Sequence, residues 1–141
     1  MADLTRAEVI KLIAVAGGKL NLSGVDLSGL DLSSLDFMNA NLSDANLSDT
    51  NLTEAKLEAA NLRRAKLIGV ILAEANLCNA DLSKAELFLA NLTRANLSNA
   101  ILSGAILVTA DLFKANLWGA NLLGANLEGA NLKDAIGLKL S

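Results

Sequence analysis

The side chains able to do chemistry in this 141-residue chain are few. It contains no His and no Tyr, so neither a Ser-His-Asp arrangement nor a His-based metal site can be assembled. Its one cysteine, Cys78, has no second thiol and no imidazole to activate it, and it permits no internal disulfide. That usage suits a reducing compartment. Carboxylates are plentiful, but most Asp stand where Asn stands elsewhere, so they are expected to bond backbone. Paired carboxylates for acid–base work would also need a pocket. The glycines follow a fixed interval and do not spell a phosphate-binding loop. What does cluster is cationic: Arg63, Arg64, Lys66 and Lys84 form a candidate basic corner able to receive an anion or an acidic partner. Asp44 and Glu86 stand close to it, and simple charge alternation is the competing account. The expectation is a chain with no catalytic residues, no metal, no cofactor and no small-molecule substrate.

The elements that place these residues are harder to see from composition. Hydrophobic residues make up 52% of the chain and its mean hydropathy is positive, yet they occur as single Leu and Ala between polar neighbours. No run approaches the roughly 20 apolar residues of a spanning helix. The segment VIKLIAVAGG is interrupted by Lys11, and Asp3 and Glu8 spoil a basic leader, so a cytoplasmic protein without membrane contact is expected. The net charge of −3 is mild, with 8 acidic and 3 basic residues in 1–54 against 7 and 9 in 55–141. Aromatic residues are not interleaved with the cations, which argues against single-stranded nucleic acid.

Internal repetition decides the architecture. Leu stands at 22, 27, 32, 42 and every fifth position to Leu132, with Phe37 the one replacement. Two residues earlier comes a second apolar series: Leu20, Val25, Leu30 and Leu35, then Ala from Ala40 to Ala135 except Thr50 and Val70. A helix rotates about 100° per residue, so a step of five scatters the Leu series around its axis. A straight strand fails as well, because an odd step alternates faces. The chain must turn a corner every five residues, with each Ala–x–Leu unit aimed at a common axis. That is a solenoid of parallel coils about 4.8 Å apart.

Corner chemistry agrees. The second residue after each Leu is often Gly, Asn or Asp, types that tolerate the positive φ of a type II turn. Arg64, Leu89, Arg94 and Lys114 occupy the same place and predict a different turn there. Proline is absent, as expected where nearly every N–H joins a ladder.

Residues 20–137, including ANLWGANLLGANLEGANLKDA at 115–135, resemble the pentapeptide-repeat family, written A(D/N)LXX. The resemblance implies an all-β solenoid, a right-handed four-sided (quadrilateral) parallel β-helix; a period of five alone would also allow a triangle. Ile68, Phe88 and Val108 recur at an interval of twenty, which favours four sides and about six coils. The organisation expected is an N-terminal helical cap over 1–19, the β-helix over 20–137 and a tail over 138–141. Thr5 and Glu8 form a capping box, Val9, Ile10, Leu12, Ile13 and Ala16 supply an apolar face, and Gly17-Gly18 end the helix. Small cyanobacterial members of the family carry a similar N-terminal helix.

The other end has no such lid. Either the tail closes it, or a second copy does, with Trp118, Leu123, Ile136, Leu138 and Leu140 as a candidate two-fold interface. On the sides, Ile68, Phe88, Leu89, Ile106, Val108 and Phe113 form a candidate partner surface among otherwise polar outward residues, the competing account being simple stacking along a ladder. Three functions follow as alternatives: a rigid interaction or regulatory module for a protein partner of unknown identity; a duplex-DNA mimic that binds gyrase, as the resemblance to the topoisomerase-protecting branch implies; or a structural or stress-related rod with no dedicated partner. The mild charge and the missing projecting loop are departures from that second branch.

Overall fold

The computed structural model describes residues 1–139. One α-helix, α1 (Arg6–Ala16), precedes a long ladder in which each parallel bridge joins a residue to the one twenty positions later, from Asn21 with Asn41 to Asn116 with Ile136. Pairing at twenty makes the coil four-sided and excludes the triangle. The bonds that build it are regular: the Leu42 N–H donates to the Asn61 carbonyl at 2.7 Å, and the Asn61 N–H returns to the Ala40 carbonyl at 2.9 Å.

Every Leu of the repeat from Leu22 to Leu117, with Phe37 in the same series, is buried, as are the Ala from Ala40 to Ala115. Two side chains per unit thus fill one continuous column. Burying each Leu contributes about 1.5–3 kcal/mol relative to leaving it in water. Thr50, the polar exception in the Ala series, is fully buried and donates its hydroxyl to the Leu27 carbonyl at 3.0 Å, so it leaves no unmet group.

The corners correct one expectation. Arg64, Leu89, Arg94 and Lys114 do not use a different turn: their φ values are 54°, 58°, 57° and 57°, in the same left-handed region as Gly24 at 70°. Each corner closes an i to i+3 bond, for example from the Ala65 N–H to the Leu62 carbonyl at 3.1 Å, and from Gly24 to Lys114 the corner N–H also donates to the next coil, as Arg64 does to Ser83 at 3.0 Å. One turn thus serves all corners, and residue type sets only its cost, about 1–2 kcal/mol for an L-residue.

The N-terminal end is closed as the capping box and Gly17 predict: Thr5 caps α1 reciprocally with Glu8, and Gly17 is left-handed at φ 57°. The packed face is narrower than expected. Val9 is fully buried, with Leu4, Ile13 and Ala16 against the core, whereas Ile10 and Leu12 are exposed. At about 100° per residue Val9, Ile13 and Ala16 form one stripe, and Ile10 and Leu12 fall to either side of it. Arg6 secures the lid by donating to the Asp31 and Ser33 carbonyls of the first coil at 2.6 and 3.3 Å.

Candidate interaction surfaces

The outward position between each buried pair has a consistent job. Wherever it holds Asn or Asp, the side-chain oxygen accepts the N–H two residues on: Asn41 from Ser43 at 3.1 Å, Asn91 from Thr93 at 3.0 Å, Asp111 from Phe113 at 3.0 Å. These Asx turns satisfy the one corner N–H that neither the turn bond nor the ladder uses. The carboxylates are thus occupied with backbone, as their interchange with Asn implies. Bonds from the Ser28 and Ser33 side chains, followed by these backbone N–H bonds, hold the Asp26 and Asp31 carboxyls below the usual range. At Asp81 burial pushes the carboxyl up, but bonds from Ser83 and Arg63 outweigh it and the net direction is down.

Six such positions instead hold Lys56, Lys66, Ile71, Glu86, Ile101 and Ile106. The N–H groups that follow them, on Glu58, Ile68, Ala73, Phe88, Ser103 and Val108, have no acceptor among the described residues. Three of the six fall in one column over three successive coils, the coils of Ile68, Phe88 and Val108. Below and above that run the closure is intact, at Ser48 with Asn46 and at Glu128 with Asn126.

The apolar candidates lie on that same edge. Ile68 and Phe88 are 38% and 39% exposed, Leu89 reaches 56%, Ile106 is exposed and Val108 half-buried. Phe113 follows Asp111 one corner further round, half-buried, with the Lys114 ammonium 5.2 Å from its ring centre. It does not join the stripe.

Of the basic corner, two members are engaged. Arg64 binds Asp44 of the preceding coil through two bonds at 2.7 and 2.9 Å, which lowers the Asp44 carboxyl. Arg63 reaches Asp81 at 3.3 Å and the Ser83 hydroxyl at 3.0 Å. Lys66 and Lys84 have no carboxylate within 4.0 Å among the described residues, although Glu86 is the ladder neighbour of Lys66. Charge alternation therefore accounts for the arginines and not for the lysines. Cys78 is half-buried, its sulfur accepting from the Asn79 amide and the Ser98 hydroxyl, both at 3.3 Å.

At the C-terminal end Leu122, Leu127 and Leu132 are only half-buried, and their N–H groups have no acceptor among the described residues. A depression of about 690 Å³ lies there, lined by Ala120, Leu122, Leu123, Ala125, Leu127 and Lys139. Trp118, Leu123 and Ile136 are exposed, and Leu138 is half-buried against the core. The repeat breaks at Gly137, where φ is 76° and any Cβ would collide with the Trp118 backbone. Leu140 lies outside the described residues.

A family profile described as Pentapeptide repeats matches in 8 copies, over residues 21–58, 60–87, 90–129 and 110–136. The chain belongs to the pentapeptide-repeat family. No curated protein sequence matches it. Among solved structures, QnrB1 in a trypsin-treated form, described as a plasmid-mediated fluoroquinolone resistance protein, is 28% identical with a TM-score of 0.78, covering 83% of this chain. The chain spans 60% of the length of that protein. Rfr23 from the cyanobacterium Cyanothece 51142 is 30% identical over 92% of this chain and 97% of its own, with a TM-score of 0.49. HetL, described as involved in heterocyst differentiation regulation in Nostoc sp. strain PCC 7120, is 34% identical over 82% of this chain and 71% of its own, with a TM-score of 0.35. The likeness to QnrB1 agrees with the repeated coil described above. Among the described residues no helix is long and apolar enough to cross a membrane.

Proposed function

We propose that the protein is a non-catalytic, rigid rod that presents one edge to a protein partner, in a regulatory or binding role. The observation that carries this reading is the run of Ile68, Phe88 and Val108, with Leu89 and Ile106 beside it, on a surface whose other outward positions are mostly polar. Contiguous exposed apolar side chains on a soluble fold mark interaction sites. Stacking alone does not call for Leu89, which is exposed at a corner. The test is capture of partners from the native host by the wild-type protein and by Phe88→Asp. A specific partner lost on that substitution supports the reading; identical partner sets from both proteins refute it, and would favour a structural rod without a dedicated partner.

A second surface belongs to the same proposal. The C-terminal coil, whose Leu122, Leu127 and Leu132 N–H groups have no acceptor among the described residues and which exposes Trp118, Leu123 and Ile136, suits a second copy, forming a homodimer. The opposite end is closed by α1, so stacking end to end yields a closed two-fold pair rather than a filament. Sedimentation showing a strict monomer at high concentration would remove this part. A further reading, protection of a type II topoisomerase, draws on the likeness to QnrB1. The net charge of −3 and the cationic balance of residues 55–141 count against a DNA-like surface. A DNA-supercoiling assay with gyrase and a fluoroquinolone tests it.

A further inference from the structure

Resting on the reading of this edge as a partner site, we propose its partner chemistry: an extended segment rich in carboxylates and apolar side chains, lying along the rod axis over Lys66, Glu86 and Ile106. Three features converge on that occupant. First, the Ile68, Phe88 and Val108 N–H groups point to where an Asn oxygen sits in the coils above and below, and none has an acceptor among the described residues. They form a row of donors only, about 4.8 Å apart. Such a row selects oxygen acceptors, and a carboxylate strengthens each bond.

Second, Lys66 and Lys84 flank the row on successive coils with no ion pair within 4.0 Å among the described residues, while Arg64 is held by Asp44. Glu86 is the only carboxylate opposing them on those two coils of the face. The remaining charge complements an acidic ligand and repels a basic one. Third, the apolar edge of Ile68, Phe88, Leu89 and Val108 borders the donors on the far side. A ligand oxygen over the donors places neighbouring apolar side chains against that edge. Because row, cations and edge all run from coil to coil, the ligand that meets them together is elongated along the axis.

The repeat itself supplies the discriminating substitution. Glu86→Asn installs the residue used at most equivalent positions, so its Oδ1 accepts the Phe88 N–H as Asn46 accepts that of Ser48. It removes one donor, keeps the fold, and makes the face more positive. The probe is a fluorescein-labelled ten-residue peptide of alternating Glu and Leu, read by anisotropy, beside its Lys–Leu counterpart. The expected result is binding of the Glu–Leu peptide alone, weakened about tenfold by Glu86→Asn and abolished by Lys66→Asn/Glu86→Asn/Ile106→Asn, with melting temperatures no lower than wild type. Tighter or unchanged binding by Glu86→Asn would show attraction by charge without the donor row and overturn the proposal, as would equal binding of the Lys–Leu peptide or no binding of either. A native partner lost on Phe88→Asp but insensitive to Glu86→Asn would leave the partner-site reading standing and remove this one.

Discussion

Replacing Arg94 with glycine should make the protein more stable, against the usual direction for removing a side chain. Arg94 is held at φ 57°, and its N–H donates to the Phe113 carbonyl at 2.8 Å. An L-residue there costs about 1–2 kcal/mol relative to the right-handed region. Glycine escapes that cost but loses about 0.5–1 kcal/mol of backbone entropy on folding. The side chain makes no ion pair within 4.0 Å among the described residues, so little else is given up. The net expectation for Arg94→Gly is about 0.5–1 kcal/mol of added stability. The mirror experiment is Gly24→Ala, where φ is 70° and an added Cβ meets nothing within 4 Å. It isolates the backbone cost and should lose about 1 kcal/mol, or about 3 °C in Tm. Equilibrium urea unfolding followed by circular dichroism, with thermal melts beside it, reads both. Loss of stability in Arg94→Gly together with a neutral Gly24→Ala would mean that these corners do not hold positive φ, and the single-turn account of the coil would fail.

Two further perturbations separate the core and the charges. Leu72→Asp puts an unpaired carboxylate into a fully buried column and should cost more than about 4 kcal/mol, enough to abolish cooperative unfolding in a thermal melt, whereas Ser23→Asp on the exposed surface should stay within about 0.5 kcal/mol. Asp26, Asp31, Asp44 and Asp81 have carboxyls lowered in the fold, so the stability they contribute is present above about pH 4 and is lost as pH falls through their lower folded values. Urea midpoints should therefore drop below about pH 4, and Asp31→Asn, which keeps the acceptor for Ser33, should flatten that dependence; a midpoint rising in acid would contradict the assignment.

The inside of the rod was legible because its rule is local: Ala and Leu two apart, every fifth residue, can both be buried only if the chain turns a corner every five residues, whether the coil has three sides or four. The role of Asn and Asp as backbone acceptors was readable for the same reason, from their interchange at one position. The corners at Arg64, Leu89, Arg94 and Lys114 misled because turn preference was read residue by residue, while every corner closes the same i to i+3 bond and holds the same positive φ whatever residue stands there. Ile10 and Leu12 misled because an eleven-residue helix lying across a flat coil buries a narrow stripe. Arg6 as a clamp on the Asp31 and Ser33 carbonyls left no pattern, since it needs the helix placed first. The donor row did leave one: Lys66, Glu86 and Ile106 break the Asn/Asp rule at intervals of twenty. It becomes visible once the Asx closure is known. The collision that forces Gly137 depends on where Trp118 sits, which only the folded chain shows.

Coils of twenty residues stacked in register underlie every column of the rod, and the native cysteine offers a direct measurement of that stacking. Cys78 and Ser98 occupy one column of adjacent coils, with the Ser98 hydroxyl 3.3 Å from the sulfur. Strand-like spacing of about 4.8 Å lies within the Cα separation a disulfide spans. Under mild oxidation Ser98→Cys should form an intramolecular disulfide with Cys78, found by mass spectrometry of peptides, while Thr93→Cys should not. A bridge from Thr93→Cys and none from Ser98→Cys would mean a fifteen-residue coil, and with it the loss of every column and surface described above.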